Sequence, residues 1–225
     1  MLKIQGAPAS VHTRKVVIAA REKGLPFEVI PVVPFAPPPG WKDLSPTGKI
    51  PVLVDGDMTL PDSAAICAYI ERAHPEPALY PKEARALGRA LWIEAYLGGT
   101  FFPQTIQPLF FEQVVGPRAK DQTTNQGLVD RIVGETAPPL FDYLESLAGG
   151  EFLVGGMFTI ADISLASNLV NFHYLGHRLD AARHPRLQQA FDRCLARPSI
   201  ACALDAEREF AAGLGLDVSF ALQAA

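Results

Sequence analysis

The strongest constraint in this sequence is a change of pattern at residue 75 or so. Up to there, short β-like runs alternate with helical ones. Then prolines recur at 75, 77 and 81, and beyond them no strand pattern returns. A proline cluster of this kind cannot continue a helix or a central strand, so it separates two units with different architecture. The expectation is an α/β unit over residues 1–76, a linker over 77–84 and an all-helical unit over 85–225, which 225 residues accommodate as two small domains.

The first unit reads βαβ followed by ββα. Leu2 to Gln5 alternates apolar and polar residues and ends at Gly6-Ala7-Pro8. A helix follows, with Ser10 in N-cap position, an apolar side at Val16, Val17 and Ala20, and a stop at Gly24 and Pro26. Phe27 to Val33 is the next strand, parallel to the first through a right-handed crossover. Five prolines between Pro31 and Gly40 then predict a loop. Val52 to Val54 and Met58 to Leu60 flank Asp55-Gly56-Asp57, an antiparallel hairpin whose turn needs positive φ. Ser63 to Arg72, apolar at Ile66, Tyr69 and Ile70, is a helix for that sheet.

The second unit carries helical patterns from Ala84 to Val115, interrupted near Gly98 and Pro103, and from Asn125 to Leu147, with a kink expected at Pro138-Pro139. Thr159-Ile160-Ala161-Asp162 has the spacing of a capping box, with Phe158 and Ile163 placed as a hydrophobic staple. Two further helices are expected, one from Pro185 through Leu187, Phe191 and Leu195, the other from Ala201 to Ala212.

Charge excludes several functions. The formal net charge is −4 and no run of five like charges occurs, so neither nucleic acid nor an anionic membrane is an expected partner. Ala95 to Phe111 is the longest uncharged stretch, and its glycines, prolines and glutamines suit a bilayer poorly. Three cysteines and an N-terminus without a secretion pattern point to the cytoplasm. His173 and His177 share a helix face with His184 downstream, but no Glu or Cys completes a metal set there, so no metal is expected.

Three places in the first unit can carry chemistry. Ser10 stands at a helix N-terminus, where free N–H groups and the helix dipole favour an anion. Ile50-Pro51 precedes the third strand; a cis peptide there would leave the backbone of Ile50 facing outward to pair with an extended peptide. Asp62-Ser63 opens another helix, offering donors beside a carboxylate that accepts an ammonium group. A hydroxyl for a thiolate, a peptide-pairing edge and a grip for an α-amino acid end together describe glutathione. A hydrolase is disfavoured: there is no G-x-S-x-G elbow, and His12 lies two residues from Ser10, a spacing that does not face it.

These segments resemble the cytosolic glutathione transferase family over nearly the whole chain. Gly6-Ala7-Pro8-Ala9-Ser10-Val11-His12-Thr13-Arg14-Lys15-Val16 looks most like its serine-type classes, phi in particular. Ser45-Pro46-Thr47-Gly48-Lys49-Ile50-Pro51 is similar to the family's Asn-Pro-x-Gly-x-Val-Pro, Asp62-Ser63-x-x-Ile66 to its Glu-Ser-x-x-Ile, and Phe158 to Ile163 to its helical capping box. The resemblance implies a thioredoxin-like N-terminal domain, a helical C-terminal domain that lines the site of a small-molecule electrophile, and a homodimer. It implies that Ser10 bonds the glutathione sulfur, that Ile50 and Pro51 present the backbone that meets the cysteinyl residue, and that Asp62 and Ser63 bind the γ-glutamyl end. Lys49 is placed to reach a glutathione carboxylate. The proline-rich loop replaces the stretch in which relatives keep basic residues for the glycyl carboxylate, and Lys42 is the nearest substitute. Conjugation is the implied reaction; glutathione-dependent peroxide reduction or isomerisation, and a non-catalytic scaffold on the same fold, are the alternatives. Phe101, Phe102, Phe110, Phe111 and Tyr96 are read as core in preference to a pocket lining.

Overall fold

A computed structural model describes residues 1–222. Residues 223–225, the end of the expected helical unit, lie outside the described residues. The first unit runs β1 (Leu2–Gln5), α1 (Val11–Glu22), β2 (Phe27–Ile30), α2 (Trp41–Leu44), β3 (Val52–Asp55), β4 (Met58–Pro61) and α3 (Ser63–Ala73). The sheet order is β2-β1-β3-β4: β1 and β2 are parallel with Leu2 beside Phe27, and the other neighbours are antiparallel. This is the mixed four-stranded sheet of a thioredoxin-like domain. Successive side chains on β3 face opposite ways, so Leu53 enters the main core with α1 and α3, while Val52 joins Val32 and Trp41 in a small cluster on the other side.

Two expectations need correction here. The second strand stops at Ile30, because Pro31 has no N–H to continue the ladder. The proline-rich loop ends in the one-turn helix α2, which the sequence pattern did not show. Trp41 is buried there, and its indole Nε1 donates to the carbonyl of Gly48 at 3.1 Å, bracing the loop before β3.

The helical unit comprises α4 (Ala84–Tyr96), α5 (Phe102–Gln104), α6 (Ile106–Phe110), α7 (Gly116–Ala119), α8 (Gln126–Arg131), α9 (Ala137–Leu147), α10 (Ile160–Tyr174), α11 (Pro185–Leu195) and α12 (Pro198–Gly213). The kink expected at Pro138-Pro139 is instead a π turn over Ile132–Thr136 that leads into α9. Two more π turns, Leu97–Phe101 and Phe111–Val115, likewise end two residues before Pro103 and Pro117. A proline in a helix removes one i→i−4 bond and crowds the preceding turn, and the wider turn absorbs the misfit without breaking the rod.

α10 forms the centre, with all of its residues buried. Its N-terminus is closed as the sequence implied. Thr159 accepts from the N–H of Ala161 at 3.3 Å, Asp162 accepts from the N–H of Thr159 at 2.9 Å, and the other Asp162 oxygen takes the N–H of Leu153 at 2.9 Å. The connection between the units is fastened by Lys23, whose ammonium reaches Glu71 at 2.7 Å and the carbonyls of His74 and Pro77 at 2.7 and 2.8 Å.

The single apolar side expected of α1 is too narrow a description. Val11 and Thr13 to Ala20 are all buried, because α10 and α12 cover the face turned away from the sheet. The polar residues on that face are therefore paired. Arg14 is 1% exposed and donates to Glu207 at 2.6 and 2.9 Å, to Asn171 at 2.7 Å and to the carbonyl of Ser167 at 2.9 Å. Tyr174 completes the set with a 2.7 Å bond to Glu207, whose carboxyl is nevertheless raised above its ordinary value by burial. Lys15 pairs with Glu94 of α4 at 2.8 Å, both side chains buried. No helix among the described residues is long and apolar enough to cross a membrane.

Candidate active site

The site gathers at the N-termini of α1 and α3. β1 must turn sharply into α1, and a side chain at Gly6 would collide with the Thr13 hydroxyl, so that turn requires glycine. Ser10 follows as the N-cap residue, with extended backbone (φ −76°, ψ 134°). Its hydroxyl makes no capping bond, and no acidic residue occupies the first turn of α1. The segment is held from behind, where the carbonyl of Ala9 accepts from Asn171 Nδ2 at 3.2 Å and from Arg14 at 3.3 Å. Ser10 is thus fixed by the helical unit while its side chain stays half-buried and unspent on the helix.

Asp62 differs. It sits at φ 77°, a region costly for a residue with a β-carbon, and one carboxylate oxygen takes the N–H groups of Ala64 and Ala65 at 2.9 and 3.2 Å. The Asp62 carbonyl takes the N–H of Ile66 at 2.9 Å. Among the first four donors of α3 this leaves the N–H of Ser63 without a capping partner.

Ser63 is buried, and its hydroxyl lies 3.4 Å from Nδ1 of His12, the residue the sequence reading set aside. His12 indeed does not serve Ser10; its serine partner comes from α3, 51 positions along the chain. Its ring meets Phe102 of the helical unit edge-on, centroids 4.6 Å apart. Burial holds the imidazole down at about 4, helped by Lys15 and Lys49 and opposed by Asp62, so it is neutral across the physiological range.

Ile50-Pro51 is a cis peptide, and Ile50 makes no backbone hydrogen bond among the described residues outside regular elements. The preceding loop is shaped by the buried Ser45, whose hydroxyl donates to the carbonyl of Lys49 at 2.7 Å, and by Gly48 at φ 71°. Lys49 itself is exposed. Lys42 is also exposed on α2, and it makes no hydrogen bond or ion pair among the described residues that would tie it to the group around His12.

The aromatic residues divide. Phe101 is fully buried against Phe141, and Tyr96 packs on Tyr143, so both are core. Phe102 is half-buried at the junction of the two units. The three C-terminal histidines go to separate partners: His173 lies between Phe191 and Phe220, His177 bonds Gln113 at 3.0 Å and His184 bonds Asp142 at 2.9 Å. No metal-holding group of three or more His, Cys, Asp or Glu exists among the described residues. Burial pushes the Cys67 thiol up to about 12, which leaves it unreactive.

This geometry can be set beside known proteins. Residues 5–78 match the family model for the glutathione S-transferase N-terminal domain, and residues 110–206 match that for the C-terminal domain. The chain belongs to the glutathione S-transferase family. It is 33% identical over 190 residues to glutathione S-transferase 3 of Zea mays, covering 82% of this chain and 81% of that one. Among solved structures, a glutathione S-transferase from Rhodospirillum rubrum F11 superposes with a TM-score of 0.82 at 26% identity, covering 91% of this chain and 92% of the other. One from Methylobacterium radiotolerans superposes with a TM-score of 0.75 at 28% identity, covering 90% and 93%. The chain is thus an enzyme of the glutathione S-transferase family.

His12, Arg14 and Lys15 are the residues that sequence reasoning missed. The signal available was four consecutive polar residues, His12 to Lys15, inside a helix whose later turns are apolar. Their partners all lie on other helices: Ser63 of α3 for His12, Glu94 of α4 for Lys15, and Asn171 of α10 with Glu207 of α12 for Arg14.

Proposed function

We propose that this enzyme conjugates glutathione, through its thiolate, to a small hydrophobic electrophile held between the two units. The observation that carries the reading is the hydroxyl of Ser10, aligned with a helix N-terminus yet spent on no capping bond. In this reading Ser10 donates to the glutathione sulfur, and Ile50 beside Pro51 pairs with the cysteinyl backbone. Ser63 takes the γ-glutamyl carboxylate and Asp62 its ammonium group. Lys49 takes the glycyl carboxylate, with Lys42 on α2 as the other cation on that side. The Methylobacterium radiotolerans relative was solved in complex with glutathione sulfonate, which supports a glutathione site on this fold.

The magnitudes agree with one well-placed hydroxyl. A thiol of pKa about 8.5 is roughly 3% ionised at pH 7, and a fall of about two units makes it roughly three-quarters ionised. That shift requires about 2.7 kcal/mol. A hydrogen bond to a charged group supplies about 1.5 to 3 kcal/mol, and the helix terminus adds up to about 1. The ionised sulfur then attacks the electrophile and the leaving group departs. Phe102 offers the apolar wall nearest His12.

The same reading makes the enzyme a cytoplasmic homodimer. Leu91 and Trp92, 44% and 54% exposed on α4, are the large apolar side chains of the helical unit that stand exposed among the described residues, where a second copy can cover them, and the cysteines are free. Glutathione titration by calorimetry together with turnover of a generic aryl halide tests the proposal. Wild type should bind and turn over, and Ser10→Ala should bind with similar affinity but turn over roughly 10- to 100-fold more slowly, the value of one bond to a charged atom. Equal turnover by the variant, or no binding by wild type, overturns the reading.

A further inference from the structure

The donors at the start of α3 can be counted. Asp62 consumes those of Ala64, Ala65 and Ile66, which leaves the N–H and the hydroxyl of Ser63 as the pair that can face a ligand. What the hydroxyl offers depends on His12. A neutral imidazole has one N–H and one bare nitrogen. If Nδ1 is bare, it takes the Ser63 hydrogen and the hydroxyl is lost as a donor. If Nδ1 carries the proton, it donates to Ser63 Oγ and frees the Ser63 hydrogen to point outward beside the Ser63 N–H. A carboxylate, the anion a helix N-terminus favours, is best met by two such donors.

We propose that His12 is a positioning residue for glutathione: its Nδ1–H orients the Ser63 hydroxyl toward the γ-glutamyl carboxylate, and its ring, seated on Phe102, ties that orientation to the helical unit. The 3.4 Å approach across 51 residues and the 4.6 Å ring contact carry the argument. It rests on the reading of the site as a glutathione site and deepens it. His12 touches Ser63, not the reacting sulfur, so its loss should appear in KM for glutathione and not in kcat.

The test is a double-mutant cycle read by steady-state kinetics, calorimetry with glutathione and thermal melting of each variant. Ser63→Ala should raise KM for glutathione about tenfold, the worth of one hydrogen bond. His12→Phe keeps the ring on Phe102 but removes Nδ1, and His12→Leu removes both; whichever is better folded should raise KM about fivefold, with kcat within about twofold of wild type. His12→Asn, whose amide nitrogen can take the place of Nδ1, should restore most of the loss. Combined with Ser63→Ala, the His12 change should add nothing further. An unchanged KM in His12→Phe and His12→Leu while Ser63→Ala raises it, or additive effects in the double variant, overturns this inference alone. Absence of heat from wild type with glutathione overturns the site reading and this inference with it.

Discussion

Two helices of the small unit begin within reach of the same site, and they use their first residues in opposite ways. α3 starts on Asp62, which closes the helix with its own carboxylate and adopts a costly backbone angle to do so. α1 starts on Ser10, an equally good capping residue by type, which closes nothing. A capped N-terminus has satisfied most of its donors and is committed to shape. An open one keeps its donors and its share of the dipole for something that is not part of the chain. The comparison teaches that residue type marks a helix start, while the hydrogen bonds actually made decide how many of its donors are left for a ligand.

Because Ser10 does not secure its own helix, something else must, and the largest expected effect lies there. Arg14 and Asn171 hold the Ala9 carbonyl, and Arg14 is locked by Glu207. Arg14→Met strands a buried carboxylate and should cost about 3 to 5 kcal/mol in denaturant unfolding, while pairing it with Glu207→Leu should recover much of that. Turnover should stay low in the double variant even where stability returns, since Ala9 then lacks one of its two donors. Full activity in a stable double variant would separate the clasp from the placement of Ser10.

The open start can be tested by pH. Deprotonation of bound glutathione should govern the rise with pH of kcat/KM for the electrophile at saturating glutathione, and His12, held at about 4, contributes no inflection near neutrality. Wild type should therefore show one ascending limb centred near about 6.5, and in Ser10→Ala it should move up toward the free-thiol value of about 8.5. Melting temperature should hardly change, because no cap is lost. An unmoved inflection would mean that the hydroxyl does not stabilise the thiolate.

Much of this was legible in the residues. The alternation of short strands with helices before Pro75, and its absence afterward, foretold a sheet unit followed by a helical one. Thr159 and Asp162 foretold the cap of α10, because a capping box is made by residues three apart and needs no tertiary partner. What escaped was non-local. His12 was dismissed as a partner of Ser10 because the serine it does meet lies on another helix, and Arg14 drew no role of its own because the residues of α10 and α12 that cover it lie more than 150 positions away. The helix α2 escaped since four residues after a proline run carry no periodicity. The π turns escaped because a proline reports a lost bond and not how the backbone absorbs it.

The smallest expected effect has a sign that tells the two roles of Asp62 apart. Replacing it with Ala removes the cap but leaves a β-carbon at φ 77°, so unfolding stability should fall by about 1 kcal/mol. Gly also serves as an N-cap, with a penalty of only a few tenths of a kcal/mol, and it relieves the backbone, so Asp62→Gly should match or slightly exceed wild type. Asn keeps an oxygen for Ala64 and Ala65 and tolerates positive φ, leaving stability near wild type while removing the charge. If the carboxylate meets the ammonium end of glutathione, all three variants should bind it more weakly by calorimetry, although only one is less stable. Affinity that instead follows stability, falling in Ala and holding in Gly and Asn, would make Asp62 a cap and nothing more, and the two helix starts would then differ only in which of them is closed.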